Sequence, residues 1–276
     1  MNLVRSEFLK IRTTNAWWLF GLGAFIMLAL AFLINAVGAY YTLSDPSTEG
    51  LNPEDAAAFE ATQNAVYQAA NLYTSGQFFG LLFVLLLGIV VMTSEFQHQT
   101  VTTTFLTTPR RTAVILAKLA AAALAGAGFW LATTALNIPA TIIFLSTQDV
   151  SSQLGEWAVV RSMLLNLLAY VLWGILGVGF GVLIRSQIGA TVTAVVLYLI
   201  GTIAGQAFFS LIALWLNWDW FDDLRFIVPS IASGLMVSGN NIPGQPVFWV
   251  GALILLGWSV LTGTVGTLIT RTRDIS

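Results

Sequence analysis

The 276-residue chain is 57% hydrophobic and only 9% charged, with a formal net charge of −2. Soluble domains carry about 25% charged residues, so this chain lacks the polar side chains to cover a water-facing globule. Cysteine is absent and His98 is the single histidine, which excludes disulfides and thiolate metal sites and argues against a zinc enzyme.

Residues 1–16 set Leu3, Val4, Phe8, Leu9 and Ile11 beside Arg5, Glu7, Lys10 and Arg12. This is the pattern of an amphipathic helix lying at a membrane surface. The apolar run 17–39 is a first span. It is longer than the roughly 7–15 apolar residues of a secretory signal, so it is read as retained rather than cleaved after Val37-Gly38-Ala39.

Residues 40–74 form a loop with Asp45, Glu49, Glu54, Asp55 and Glu60 and no basic residue. Asn52-Pro53-Glu54-Asp55 reads as a helix start, with a cap, a first-turn proline and two acids. Phe59, Val66 and Tyr73 recur every seven residues, giving this external helix one face that can rest on protein or membrane.

Further spans are expected at 75–94, 113–145, 157–184, 188–216 and 247–270, each long enough for a hydrocarbon core of about 30 Å. In the third of the six, Asn137-Ile138-Pro139 predicts a bend or an end. The segment 217–246 begins with Trp218, Trp220 and Phe221. Its apolar stretch 224–237 is too short to cross and is interrupted by Pro229 and Gly234, as in a re-entrant or surface segment. Trp17 and Trp18 at one boundary, and Trp157, Trp215, Trp218 and Trp220 at the other, read as interfacial anchors.

Basic residues set the orientation. With the N-terminus inside, Arg5, Lys10, Arg12, Arg110, Arg111, Lys118, Arg185, Arg271 and Arg273 are cytoplasmic, leaving only Arg161 and Arg225 outside. The positive-inside rule therefore selects six spans with both termini in the cytoplasm. The fold class expected is an all-α polytopic membrane protein forming a single transmembrane domain over 1–276.

The loop 95–112 is the most informative stretch. It is polar, opens on Glu95, turns at Pro109-Arg110-Arg111 and returns to the membrane through Lys118, which reads as a snorkelling anchor. His98 has no partner suggesting chemistry. Asn35, Asn137, Asn166, Gln77 and Gln206 are polar at hydrocarbon depth, where they either line a path or bond neighbouring helices. Gly76/Gly80, Gly177/Gly181 and Gly201/Gly205 have the four-residue spacing that permits close helix approach.

On Glu95, Thr100, Leu106, Pro109, Arg110 and Lys118 the chain resembles the permease subunits of ABC-2 type ABC transporters, with Gln99 standing where that family commonly has glycine. The amphipathic elbow helix, the six spans and the broken segment before the last span extend the resemblance over the whole chain. It implies that 95–112 is a coupling loop, with Glu95, Thr100, Leu106, Pro109, Arg110 and Arg111 coupling to an ATPase; Glu95 and Arg110 either contact that ATPase or brace the elbow helix, whose charged residues are Arg5, Glu7 and Lys10 among others. It also implies a path lined by Gln77, Phe78, Phe79, Phe83, Tyr198, Thr202 and Gln206, where spans two and five meet across a dimer axis.

No G-x-x-x-x-G-K-[ST] pattern occurs, so hydrolysis is expected in a separate cytoplasmic ABC ATPase present in two copies, which would hold the ATP and magnesium. No cofactor is expected in this chain, and it is not expected to be an enzyme. The expected partners are that ATPase, a second permease copy in a homodimer and the lipid of the cell (inner or plasma) membrane, with no nucleic acid. The implied function is export of a hydrophobic or amphipathic compound: a drug, lipid or peptide. An intramembrane enzyme would need paired catalytic groups within the spans, and none is present. A channel or secondary transporter would call for buried carboxylates or an inverted repeat, and a membrane scaffold stays open at this point.

Overall fold

The computed structural model describes residues 2–13, 16–44, 53–98, 111–184 and 186–272. They are mostly helical, with no strand among the described residues. The helices are α1 (Asn2–Thr13), α2 (Ala16–Ser44), α3 (Pro53–Gln63), α4 (Ala65–Tyr73), α5 (Gln77–Gln97), α6 (Arg111–Thr147), α7 (Trp157–Leu183), α8 (Gln187–Leu216), α9 (Asp219–Asp222), α10 (Pro229–Ser238) and α11 (Phe248–Thr272), with a 3-10 turn at Asp223–Ile227 between α9 and α10. Six stretches among the described residues are long and apolar enough to cross a membrane: Trp17–Ser44, Ala65–Gln97, Thr112–Thr147, Trp157–Leu183, Gln187–Leu216 and Phe248–Ile269. All six expected spans are therefore present.

Helix α7 is the hub, packed on α5, α6, α10 and α11. Close approach to α5 depends on glycine: a Cβ on Gly177 would lie 2.2 Å from the Leu85 carbonyl oxygen, and one on Gly181 would meet Ile89 and Met92. The 177/181 pair is thus a genuine packing face. Gly76 and Gly80 instead meet different helices, α2 and α7, and within the chain Gly205 meets Val228 while Gly201 faces open space.

The second span, expected at 75–94, corresponds to α5, and the apolar stretch Ala65–Gln97 that contains it is interrupted at Gly76. Asn64 caps α4 by accepting from the Val66 N–H at 2.9 Å. The helix that the sequence places outside as one piece is therefore two, α3 and α4. Within α4, Leu72 and Tyr73 are buried, and the Tyr73 hydroxyl donates to the Ser152 carbonyl at 2.7 Å. Between α4 and α5, Gly76 takes φ = +77°, and its missing side chain admits the Leu28 backbone, 2.8 Å from where a Cβ would stand.

A break inside a span frees carbonyls that lipid cannot satisfy. Asn137 supplies the donors, its Nδ2 reaching the Ser75 carbonyl at 2.9 Å and the Tyr73 carbonyl at 3.3 Å. Asn35 adds a bond to the Ser75 hydroxyl at 2.9 Å. Asn137 is thus a structural donor, and α6 does not end there but continues as helix through Pro139 to Thr147.

The short helix α10 spans only about 15 Å, too little to cross. Its Pro229 end is fastened at mid-height of the bundle: Ser230 meets Thr202 of α8, Trp173 of α7 donates to Ser233 Oγ at 2.7 Å, and Trp258 of α11 donates to the Ile227 carbonyl at 3.0 Å.

Replacing Gly76 with alanine forces a side chain into a left-handed position against backbone. It should cost roughly 1–3 kcal/mol of stability. Thermal unfolding in detergent reads this directly, with Gly38→Ala, an open helical position, as the variant that should show no loss.

Candidate functional site at the elbow and loop base

Helix α1 turns two faces in different directions. Val4, Glu7 and Ile11 face the bundle, while Arg5, Phe8, Leu9 and Arg12 remain exposed. Ile11 packs with Leu87 and Val91 of α5 and Ala121 and Ala125 of α6. Glu7 would be an uncompensated charge among them but for its partners.

Four charges alternate around a closed ring. Lys10 Nζ lies 2.7 Å from Glu7 Oε1 and 2.6 Å from Glu95 Oε1. Lys118 Nζ lies 2.8 Å from Glu7 Oε2 and 2.9 Å from Glu95 Oε1. Relative exposures are 1% for Lys118, 4% for Glu7 and 5% for Glu95; Lys10 alone reaches solvent. Each carboxylate meets both ammonium groups, so the set is neutral, and Lys118 uses a further donor on the Val91 carbonyl at 3.4 Å.

The reading of Lys118 as a snorkelling anchor is corrected here. Its side chain points into the bundle rather than toward the interface, because two carboxylates wait there. A lone ammonium at such depth would cost several kcal/mol.

The ring joins three elements. Glu7 and Lys10 come from α1, Glu95 from the last turn of α5 and Lys118 from the early part of α6. Residues 99–110 connect α5 to α6, so Glu95 and Lys118 pin together the two helix ends that flank that segment and hold the elbow helix against both. Of the loop residues singled out by sequence, Thr100, Leu106, Pro109 and Arg110 lie outside the described residues, and Arg111 begins α6.

Burial, the largest influence on Lys10, works to lower its pKa. Hydrogen bonds and charges from Glu7 and Glu95 outweigh it, and the pKa is raised from 10.5. A raised lysine pKa gives stabilisation that is complete below the unfolded value and lost only as pH rises through the folded one. This arm of the ring is therefore indifferent to pH across the physiological range.

A second group of predicted residues lies between α5 and α8. Tyr198 donates its hydroxyl to the Phe78 carbonyl at 2.6 Å. Its ring centroid stands 4.9 Å from those of Phe78 and Trp173, and Phe79 packs edge-on against Phe78. Thr202 bonds back to the Tyr198 carbonyl, and Gln77 is half-buried at the start of α5. Two residues lie outside this cluster: Phe83 turns to Phe20 and Gly23 of α2, and Gln206 is exposed on α8. Trp173 and Ser230, which complete this cluster, were missed because nothing in their local sequence distinguishes them from packing residues.

Together these elements define an all-α, multi-pass membrane protein with an amphipathic helix clamped to the base of the loop between its second and third spans. The family model described as ABC-2 family transporter protein matches residues 3–205, from α1 into α8, and the chain belongs to that family. No curated protein matches it. Membership makes the chain the membrane-spanning permease of an ABC transporter, working in a membrane with an ABC ATPase.

Removing one member of the ring strands a buried charge. Lys118→Met should destabilise the protein by about 3–5 kcal/mol. Adding Glu95→Leu leaves the Glu7–Lys10 pair neutral and should recover much of that loss. Thermal unfolding of the two single variants and the double variant measures this, and strictly additive losses would contradict the ring.

Proposed function

We propose that the chain is the translocating subunit of an ATP-driven exporter for a hydrophobic or amphipathic compound such as a drug, lipid or peptide. Both termini face the cytoplasm of a cell membrane, and two copies pair around the pathway, each engaged by one copy of a cytoplasmic ATPase. The chain is not itself an enzyme: ATP and magnesium bind the partner, and the sequence here has no P-loop.

The observation that supports coupling is the ring at the foot of loop 99–110. A push on that loop acts on a base in which α1, α5 and α6 are tied by charge-assisted bonds. The three then move as one body, and motion delivered at the loop reaches the faces of α5 and α8, where Phe78, Tyr198 and Thr202 gather. ATP and cargo are linked only if each favours one of the two arrangements over the other.

Orientation rests on the basic residues. α1 and the start of α6 share one end of the molecule through the Glu7–Lys118 bond, which brings Arg5, Lys10, Arg12 and Arg111 to the same side, in keeping with the positive-inside rule.

Arg110→Ala/Arg111→Ala, at the junction of the coupling segment with α6, should lower cargo-stimulated ATP hydrolysis of the reconstituted complex about tenfold while leaving the permease's unfolding temperature unchanged, since one lost contact or salt bridge at an interface is worth about 1–3 kcal/mol. If the chain assembles with no ATPase, or if this variant retains full stimulated hydrolysis, the coupling role of the loop is lost.

A further inference from the structure

Between α2 and α6, above α1, lies a slot of about 660 Å³, within the roughly 300–1,000 Å³ of pockets that hold small ligands. It is separate from the α5–α8 cluster. Its walls are apolar apart from Arg12 at one end and Thr133. Gly21 on α2 and Gly128 on α6 face into it, and a Cβ added at either would meet nothing within 4 Å. These glycines do not bring helices together; they leave the space open. Leu124, Gly128, Ala132 and Leu136 form an exposed line along α6, so the slot opens sideways.

Its dimensions and charge identify the occupant. The α2 wall from Trp17 to Leu28 rises roughly 16 Å, about half of a 30 Å hydrocarbon core, which is the depth of one leaflet. At the end beside α1 stand Trp17, whose indole N–H donates to the Arg12 carbonyl at 3.0 Å, and the exposed guanidinium of Arg12. Among the described residues Arg12 has no acidic partner. A cation and an indole at headgroup level over an apolar slot one leaflet deep match an acyl chain joined to a phosphate.

We propose that this slot holds one acyl chain of an anionic phospholipid drawn from the leaflet beside α1, with its phosphate on Arg12. The lipid fills the gap between α2 and α6 and rests on the same helix that the charge ring holds. It is a resident of the resting chain, not the transported cargo.

The test uses the full chain, purified in mild detergent without ATPase or nucleotide and titrated with dioleoylphosphatidylglycerol or dioleoylphosphatidylcholine, with retained lipid read by native mass spectrometry. The expected result is one retained phosphatidylglycerol per chain, in preference to phosphatidylcholine. Gly128→Leu should reduce retention about tenfold by occupying the space of two or so methylenes, and Gly21→Leu on the facing wall should do the same if the first variant folds poorly. Arg12→Gln should cost about fivefold and abolish the preference between headgroups. Gly201→Leu, at an open glycine on α8, should retain lipid as the parent does.

Undiminished retention in both slot-filling variants, or equal retention of the two lipids by the parent, would overturn the proposal. So would the absence of retained phosphatidylglycerol from the chain alone. None of these readouts depends on the export reading.

Discussion

Charge is costly in a bilayer, and this chain places two carboxylates and an ammonium in a buried position near one end of its bundle. They are tolerated because they neutralise one another together with Lys10. Each carboxylate lies within 2.9 Å of both lysines. The arrangement has a consequence beyond neutrality: none of α1, α5 or α6 can leave without stranding a buried charge, so the elbow and both feet of the intervening loop form one mechanical unit. An apolar contact at the same place would let helices slide, whereas a closed ring of directed bonds fixes their register.

The same logic of satisfied polar groups recurs at the other marked irregularity. The second span is broken at Gly76, and the carbonyls released by the break are met by Asn137 from α6, with Asn35 of α2 bonding Ser75. Polar residues within the spans thus hold a discontinuous helix in place. The broken second span, the ring at its far end and the α5–α8 aromatic cluster near its start all lie on one element. The ring and the aromatic cluster thus stand at opposite ends of α5.

Much of this was legible in the sequence, for physical reasons. Six apolar runs of spanning length, an amphipathic start and the lopsided placement of basic residues depend on composition and periodicity, which any bilayer imposes. Glu95 stood out because it is an acid at the end of an apolar run. Its partners were not legible: Lys10 lies 85 positions away, and Lys118, a lysine entering a span, reads equally well as snorkelling outward or pairing inward. The break before Gln77 was hidden for a related reason. Asn137, the residue that supports it, belongs to another helix, and a single glycine in a glycine-rich chain gives no warning of a positive φ. Span ends drifted by several residues where apolar sequence continued past the point at which the bilayer would be crossed.

The absence of cysteine allows the central claim to be measured cleanly. Spin labels at Ser6→Cys on α1 and Thr112→Cys on α6, both exposed positions, report the distance between elbow and loop base in the reconstituted permease–ATPase complex. The account predicts one narrow distance distribution, the same with and without ATP, that broadens when Lys118 is replaced by methionine. A distance that shifts by several ångströms on ATP binding while the ring residues are intact would show elbow and loop moving independently, and would contradict it.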